Sequence, residues 1–112
     1  MKKINIVKSN REFNLIIEKG KIKKNNYFVL YSLKNDLNIY RFGISVGKKV
    51  CNAVNRNKLK RKVRNILDNN KNLYSNNKDY IIIVRKSSLN EDYCVLEENL
   101  VNLFKKMERD NE

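Results

Sequence analysis

Arg56, Lys58, Lys60, Arg61, Lys62 and Arg64 crowd into one short stretch, Asn52-Ala53-Val54-Asn55-Arg56-Asn57-Lys58-Leu59-Lys60-Arg61-Lys62-Val63-Arg64. Side chains of this kind neutralise phosphate rather than break bonds: a guanidinium offers a planar fork to two oxygens and an ammonium acts as a point charge. Asn57 adds an amide that can hydrogen-bond to the same backbone. No acidic residue stands between Leu37 and Leu67, whereas Arg41, Lys48 and Lys49 extend the positive run. A solvated helix face ordinarily intersperses Glu at i,i+4 to pair with Lys. None is present here, so the like charges oppose the isolated helix and call for a polyanion from outside.

The rest of the composition agrees. Lys and Arg exceed Asp and Glu by 13 and the isoelectric point is about 9.9, which puts nucleic acid first among partners and an anionic membrane surface second. At 112 residues there is room for one domain with one modest core, spanning 1–112. No apolar run is long enough to cross a bilayer and Met1-Lys2-Lys3-Ile4-Asn5 leads into no signal-peptide core, so a soluble, cytoplasmic protein is expected. Cys51 and Cys94 stand alone and read as reduced thiols.

The inventory for protein-side catalysis is thin. Histidine is absent, so the commonest general base is missing and neither cysteine has an imidazole partner. Glu91, Asp92, Glu97 and Glu98 fall at the start or on the solvent side of the last expected helix, where the macrodipole and solubility account for them. Neither they nor Asp79 make a metal site by themselves. No catalytic residue and no metal ligand is therefore expected in this chain.

The elements that must position the cations can be read from periodicity. Ser9-Asn10-Arg11-Glu12 has capping-box spacing, Phe13, Ile16 and Ile17 follow at helical intervals, and Gly20 offers a left-handed stop, which predicts a first helix over 9–19. Tyr27–Leu33 and Ile39–Val46 read as strands joined through a turn at Asn35-Asp36, an expected antiparallel hairpin. The cationic helix follows and ends near Asn69-Asn70, and Asn69–Lys78 reads as loop. Asp79–Arg85 is a continuous apolar run suited to the middle of a sheet covered on both faces. Ser88 is placed to cap a last helix whose Tyr93, Leu96, Leu100, Leu103, Phe104 and Met107 form one core stripe. The order is helix, strand, strand, a short strand, helix, strand, helix: an α+β fold with helices against a small mixed sheet.

Steps of about 100° along the cationic helix sort its residues. Leu59, Val63, Ile66 and Leu67 gather on one side as the buried stripe. Asn57, Lys60, Arg61 and Arg64 fall on an adjoining stripe, and Lys58 and Lys62 point further round.

Arg56–Arg64, preceded by Gly43-Ile44-Ser45-Val46-Gly47-Lys48-Lys49-Val50-Cys51-Asn52-Ala53-Val54, closely resembles the signature of the protein subunit of bacterial ribonuclease P. The likeness extends upstream through Asn10-Arg11-Glu12-Phe13, Gly20 and Phe28–Tyr31, and downstream through Asp79–Lys86 to the final helix. It implies a ribonuclease P protein-like fold, akin to domain 2 of ribosomal protein S5, with an unusual left-handed crossover carried by the helix between the parallel strands.

It also implies a function. The family's catalytic RNA carries the active site and its Mg2+, and hydrolyses precursor tRNA to free the mature 5′ end; the protein helps the RNA work at physiological magnesium and contacts the single-stranded 5′ leader. Residue by residue, the family's RNA-binding motif falls on Lys48, Lys49, Arg56, Asn57, Lys58, Lys60, Arg61 and Arg64, with Ser45 matching the segment before it. Its leader cleft falls on Phe13, Ile17 and Tyr31, although from residue type alone a helix stripe with Phe13, Ile16 and Ile17 is core packing. The partners implied are the catalytic RNA and precursor tRNA, with neither a membrane nor a small-molecule substrate. The chain departs from the pattern at Lys58 (usually Arg), Gly47 (usually Ser), Cys51 (usually Gly) and Ile17 (usually Phe). Two other readings stand beside this one: a non-catalytic RNA-binding or ribosome-associated protein, and a small DNA-binding regulator. The regulator would carry a short helix and tight turn ahead of Ala53, where strand and basic loop are read instead.

Overall fold

The computed structural model describes residues 5–110. Its elements are α1 (Asn10–Lys19), β1 (Lys21–Lys24), β2 (Phe28–Lys34), β3 (Arg41–Val46), α2 (Ala53–Asp68), β4 (Lys78–Val84) and α3 (Tyr93–Asp110). The strands form one mixed sheet in the order β1-β2-β4-β3; β4 is antiparallel to β2 and parallel to β3.

The expected β2–β3 hairpin does not form, because β4 lies between its two strands. Tyr80, Ile81, Ile82 and Val84 are buried, and residues apolar on both faces need flanking strands as well as covering helices. The connection over residues 35–40 permits this. It carries no two-residue turn signal and is long enough to span two strand spacings of about 4.8 Å each. Asn35 organises it: its side-chain oxygen accepts from the Leu37 N–H and its amide donates to the Ile39 carbonyl, while Asn38 takes φ 58°. β1, not assigned from the sequence, is the short strand, and it precedes the longer two rather than following them. Its Lys-Ile-Lys-Lys composition suits a solvent-facing edge and carries little apolar signal. At the opposite edge Ile6 bridges Phe42, so the N-terminal segment partly covers β3.

Alternation along the strands divides the sheet. Phe28, Leu30, Phe42, Val46, Tyr80, Ile82 and Val84 face α2 and α3, meeting Leu59, Val63, Ile66 and Leu67 from one helix and Leu96, Leu100, Leu103, Phe104 and Met107 from the other. Both helical stripes lie where the periodicity places them, with Tyr93 half-buried at the margin. The other face carries the cross-sheet row Ile22–Tyr31–Ile81–Gly43, and α1 crosses it.

Three local expectations change. Ser9 does cap α1, its hydroxyl accepting from the Glu12 N–H at 3.1 Å, but the Glu12 carboxylate turns away to Arg41 instead of closing the box. Gly20 is extended at φ −75°, ψ 163°, and is needed for close approach rather than handedness: a Cβ there would lie 2.5 Å from the Ile16 carbonyl oxygen and 2.8 Å from that of Ser32. Ser88 does not cap α3, which starts later, at Tyr93. It is buried in a 3₁₀ turn, where its hydroxyl donates to the Tyr27 carbonyl at 2.8 Å. The loop over residues 69–77 contains another 3₁₀ turn, Lys71–Leu73, followed by Tyr74, whose ring packs on Tyr40, Phe42 and Phe104.

Tyr80 is fully buried, and this desolvation, joined by the nearby Glu108 carboxylate, pushes its phenol up to about 12. A raised folded-state value stabilises the fold below the unfolded phenol's value of about 10, and that contribution is lost as pH rises from there through 12. We expect this phenol alone to cost the free protein on the order of 2 kcal/mol across this window, with Tyr80→Phe removing that part of the loss in urea unfolding measured by circular dichroism.

Candidate nucleic-acid interface

α2 starts where β3 ends. The turn over residues 47–51 is closed by the Val50 N–H donating to the Gly47 carbonyl, and Asn52 caps the helix by accepting from the Asn55 N–H at 3.0 Å. Arg56 reaches back to donate to the Cys51 carbonyl at 3.2 Å. That contact ties the turn carrying Lys48 and Lys49 to the helix and occupies part of the Arg56 fork.

With Leu59, Val63, Ile66 and Leu67 buried, the remaining α2 side chains are directed as the angular sorting predicts. Asn57, Arg61 and Arg64 are exposed and Lys60 is half-exposed beside them. Lys62 points the other way, its ammonium donating to the Glu91 carbonyl at 3.4 Å. Lys58, Lys48 and Lys49 are exposed.

The aromatic candidates lie on the α1 face. Phe13 sits directly over Gly43: a Cβ on that glycine would lie 2.9 Å from the Phe13 ring and 2.7 Å from Ile81 Cδ1. The missing side chain thus makes the seat for the ring. A hollow of about 230 Å³ opens at this point, lined by Ile6, Val7, Phe13, Gly43, Lys60 and Arg64 among others. It brings one half-buried aromatic ring together with two cations spaced i,i+4 on α2. Tyr31 lies in the same cross-sheet row as Gly43 with only Ile81 between them, a separation of about 10 Å by strand spacing, and Ile17 is half-buried on α1. Of the α1 stripe only Ile16 is fully buried.

On the open side of that row α1 no longer covers the sheet. Val29, Ile83 and Ser45, aligned across β2, β4 and β3, are half-exposed there. Burial of β4 on both faces therefore ends at Ile83. Val29 and Ile83 were not among the sequence candidates. The period-two spacing of Val29 from Tyr31 is the signal that could have found one of them.

A charge cluster holds α1 in place over this floor. Arg41 chelates the buried Asp79, Nε to Oδ1 and Nη2 to Oδ2 both at 2.8 Å, and the Asn35 amide donates to Oδ1 at 2.7 Å. Glu12 adds a second carboxylate, its Oε2 lying 2.6 Å from Arg41 Nη1. With two carboxylates around it, the guanidinium is held even more firmly in its charged form. Asp79 is thereby committed to Arg41 and Asn35, and the described residues contain no group of three or more Cys, Asp or Glu able to hold a metal.

A cationic helix beside a half-open sheet floor with aromatic and apolar lining defines a small basic α+β protein whose surface has the chemistry that nucleic acid recognition requires. The chain belongs to the ribonuclease P family, whose family model, described as "Ribonuclease P", matches residues 1–108. It is 45% identical over 108 residues to the ribonuclease P protein component of Mycoplasma mycoides, with 96% of this chain and 99% of that one covered. Among solved structures, the ribonuclease P protein of Thermotoga maritima superposes with a TM-score of 0.83 at 37% identity, over 90% of this chain and 96% of that one. The Staphylococcus aureus protein does so with a TM-score of 0.85 at 34% identity, over 92% and 94%. The ribonuclease P protein component is a subunit of a tRNA-processing endoribonuclease, a ribonucleoprotein. The DNA-binding regulator is not favoured: β3 and a basic turn precede α2, not a helix. Nor is the general RNA-binding or ribosome-associated reading, which does not account for a family match of this extent.

Proposed function

We propose that α2 and the floor beside α1 divide the work of the ribonuclease P protein between two stretches of RNA. Lys48, Lys49, Arg56, Asn57, Lys58, Lys60, Arg61 and Arg64 engage phosphate backbone of the catalytic RNA subunit and, at the end nearest Phe13, of the substrate. Phe13, Ile17 and Tyr31, with Val29 and Ile83 beneath, receive the 5′ leader of precursor tRNA. The RNA subunit, with Mg2+ bound to it, supplies the phosphodiester hydrolysis that frees the mature 5′ end. The chain's own side chains bind, orient and neutralise, and the assembly works in the cytoplasm.

The observation that carries this reading is the hollow joining Phe13 to Lys60 and Arg64. A nucleotide needs both kinds of contact: an aromatic face for its base and cations for its phosphate. Lysine at position 58 keeps charge and loses the fork, so Lys58 contributes point-charge attraction where Arg would chelate. Ile17 similarly offers packing area without a stacking plane.

Phe13→Ala combined with Tyr31→Ala should weaken binding of a leader-bearing precursor tRNA to the assembled ribonucleoprotein by about 10-fold or more, since each stacked base contributes roughly 1 to 3 kcal/mol. Mature tRNA should bind unchanged. Equal losses for both ligands, with the circular dichroism spectrum intact, would remove the leader from this cleft.

A further inference from the structure

We propose that a second phosphate-backbone contact lies at the opposite corner of the sheet, in a lysine-ringed hollow of about 410 Å³ where Lys19, Lys21, Lys34 and Lys78 surround Ser32 and Asn77. The proposal rests on the RNA-binding reading above. It assigns RNA to a surface outside the motif.

Position separates the two sites. β3 runs from Arg41 to Val46 and delivers the chain to the start of α2, and β4 runs parallel to it from Lys78 to Val84. The α2 cations therefore begin near the Val46 end of β3, at one edge of the sheet. Lys34 and Lys78 lie at the other end of the strands, about 20 Å away along β4, and Lys19 and Lys21 stand on the side of β1, the other edge. Ser32, Lys34 and Lys78 share the alternation of Leu30 and Tyr80 and so lie on the α3 face of the sheet, where Lys78 meets Glu108, opposite the face that carries the open floor. A strand lying in the leader cleft does not reach the corner without passing round the edge of the sheet.

Charge selects the ligand. Lys34 and Lys78 are directly paired across antiparallel strands, an arrangement of like charges that costs stability unless an anion relieves it. Lys78 has Glu108 at 3.6 Å. Lys19 and Lys34 are exposed around the rim. Below them Ser32 is buried at 5% exposure, and Asn77 holds its carbonyl to the Asn35 N–H at 2.7 Å, so the floor is fixed and polar. The lining contains no aromatic residue. A base would find no stacking face, whereas phosphate oxygens would meet ammonium groups; the fitting occupant is therefore the backbone of a structured RNA rather than unstacked nucleotides. With Leu33 alone as an apolar element, a protein partner would lack an anchor.

The test measures affinity of the intact protein for a transcribed bacterial ribonuclease P RNA across a salt series. It compares Lys19→Ala/Lys34→Ala with Lys105→Ala/Lys106→Ala, which removes the same charge from α3, and with Arg61→Ala on α2. The corner variant should weaken binding about 10-fold and lower the slope of log affinity against log salt by about 1 to 2, while the α3 variant changes neither by a comparable amount. Equal effects of the corner and α3 variants would reduce the corner to general charge and overturn the proposal. So would a corner variant indistinguishable from wild type. If Arg61→Ala alone binds like wild type, it is the α2 reading that fails, and the corner result stands separately.

Discussion

Replacing Arg61 and Arg64 together by Ala should lower affinity for the catalytic RNA by at least about 100-fold at moderate salt and reduce the salt slope by about 2. Both side chains are exposed on α2, outside its buried stripe, so the fold should be untouched and its melting transition unmoved. The size follows from what is lost: two guanidinium forks in a field with no compensating carboxylate between residues 37 and 67. With six or more phosphates engaged, the wild-type complex should itself weaken by roughly 10³-fold or more between about 50 and 200 mM salt, borrowing the DNA scaling. Filter binding or fluorescence anisotropy over that range measures both quantities. An unchanged slope in the double variant would mean that these two arginines meet no phosphate.

Arg41→Ala should act on stability instead. It leaves the Asp79 carboxylate, at 5% exposure, held by the Asn35 amide without its guanidinium, and removing one member of a buried ion pair costs about 3 to 5 kcal/mol. For a domain of this size that lowers the thermal midpoint by roughly 12 °C or more. Because Arg41 also attracts Glu12, the residue before Phe13, the N-terminal turn of α1 loses its tie to β3. Precursor binding should therefore weaken even well below the melting transition. A variant melting within about 2 °C of wild type would show that the cluster is replaceable by water and by the rest of the α1 packing.

The parts of this structure legible in the sequence are those with one dominant period. α2 buries Leu59, Val63, Ile66 and Leu67 because an apolar stripe at helical spacing has a single way to face a sheet, and the cations must then take the adjoining surface. α3 follows the same rule. Strand identity was also legible for β2, β3 and β4. Strand order was not, since alternation says which face a residue occupies and nothing about which strand is its neighbour. The doubly apolar character of β4 pointed to the centre of the sheet, and with β2 and β3 as its two neighbours no β2–β3 hairpin can form. β1 is too short and too lysine-rich to signal a strand.

The surface the α2 cations share was legible from helical spacing, and the family likeness named these residues for RNA. The likeness also named Phe13, Ile17 and Tyr31 for a cleft, but the shape there was not legible, because it depends on Gly43 lying under Phe13 and on α1 stopping short of Val29 and Ile83, both products of tertiary register. Gly20 shows the same limit. A glycine after a helix suggests a left-handed cap, but here the carbonyls of Ile16 and Ser32 leave no room for a side chain.

The most direct test of the central claim is cleavage of a precursor tRNA bearing a 5′ leader by a transcribed bacterial ribonuclease P RNA at low magnesium, with and without this protein. A large protein-dependent gain in rate is expected, abolished by Arg61→Ala/Arg64→Ala. Tight binding of the RNA with no gain in cleavage, for any compatible ribonuclease P RNA, would contradict it.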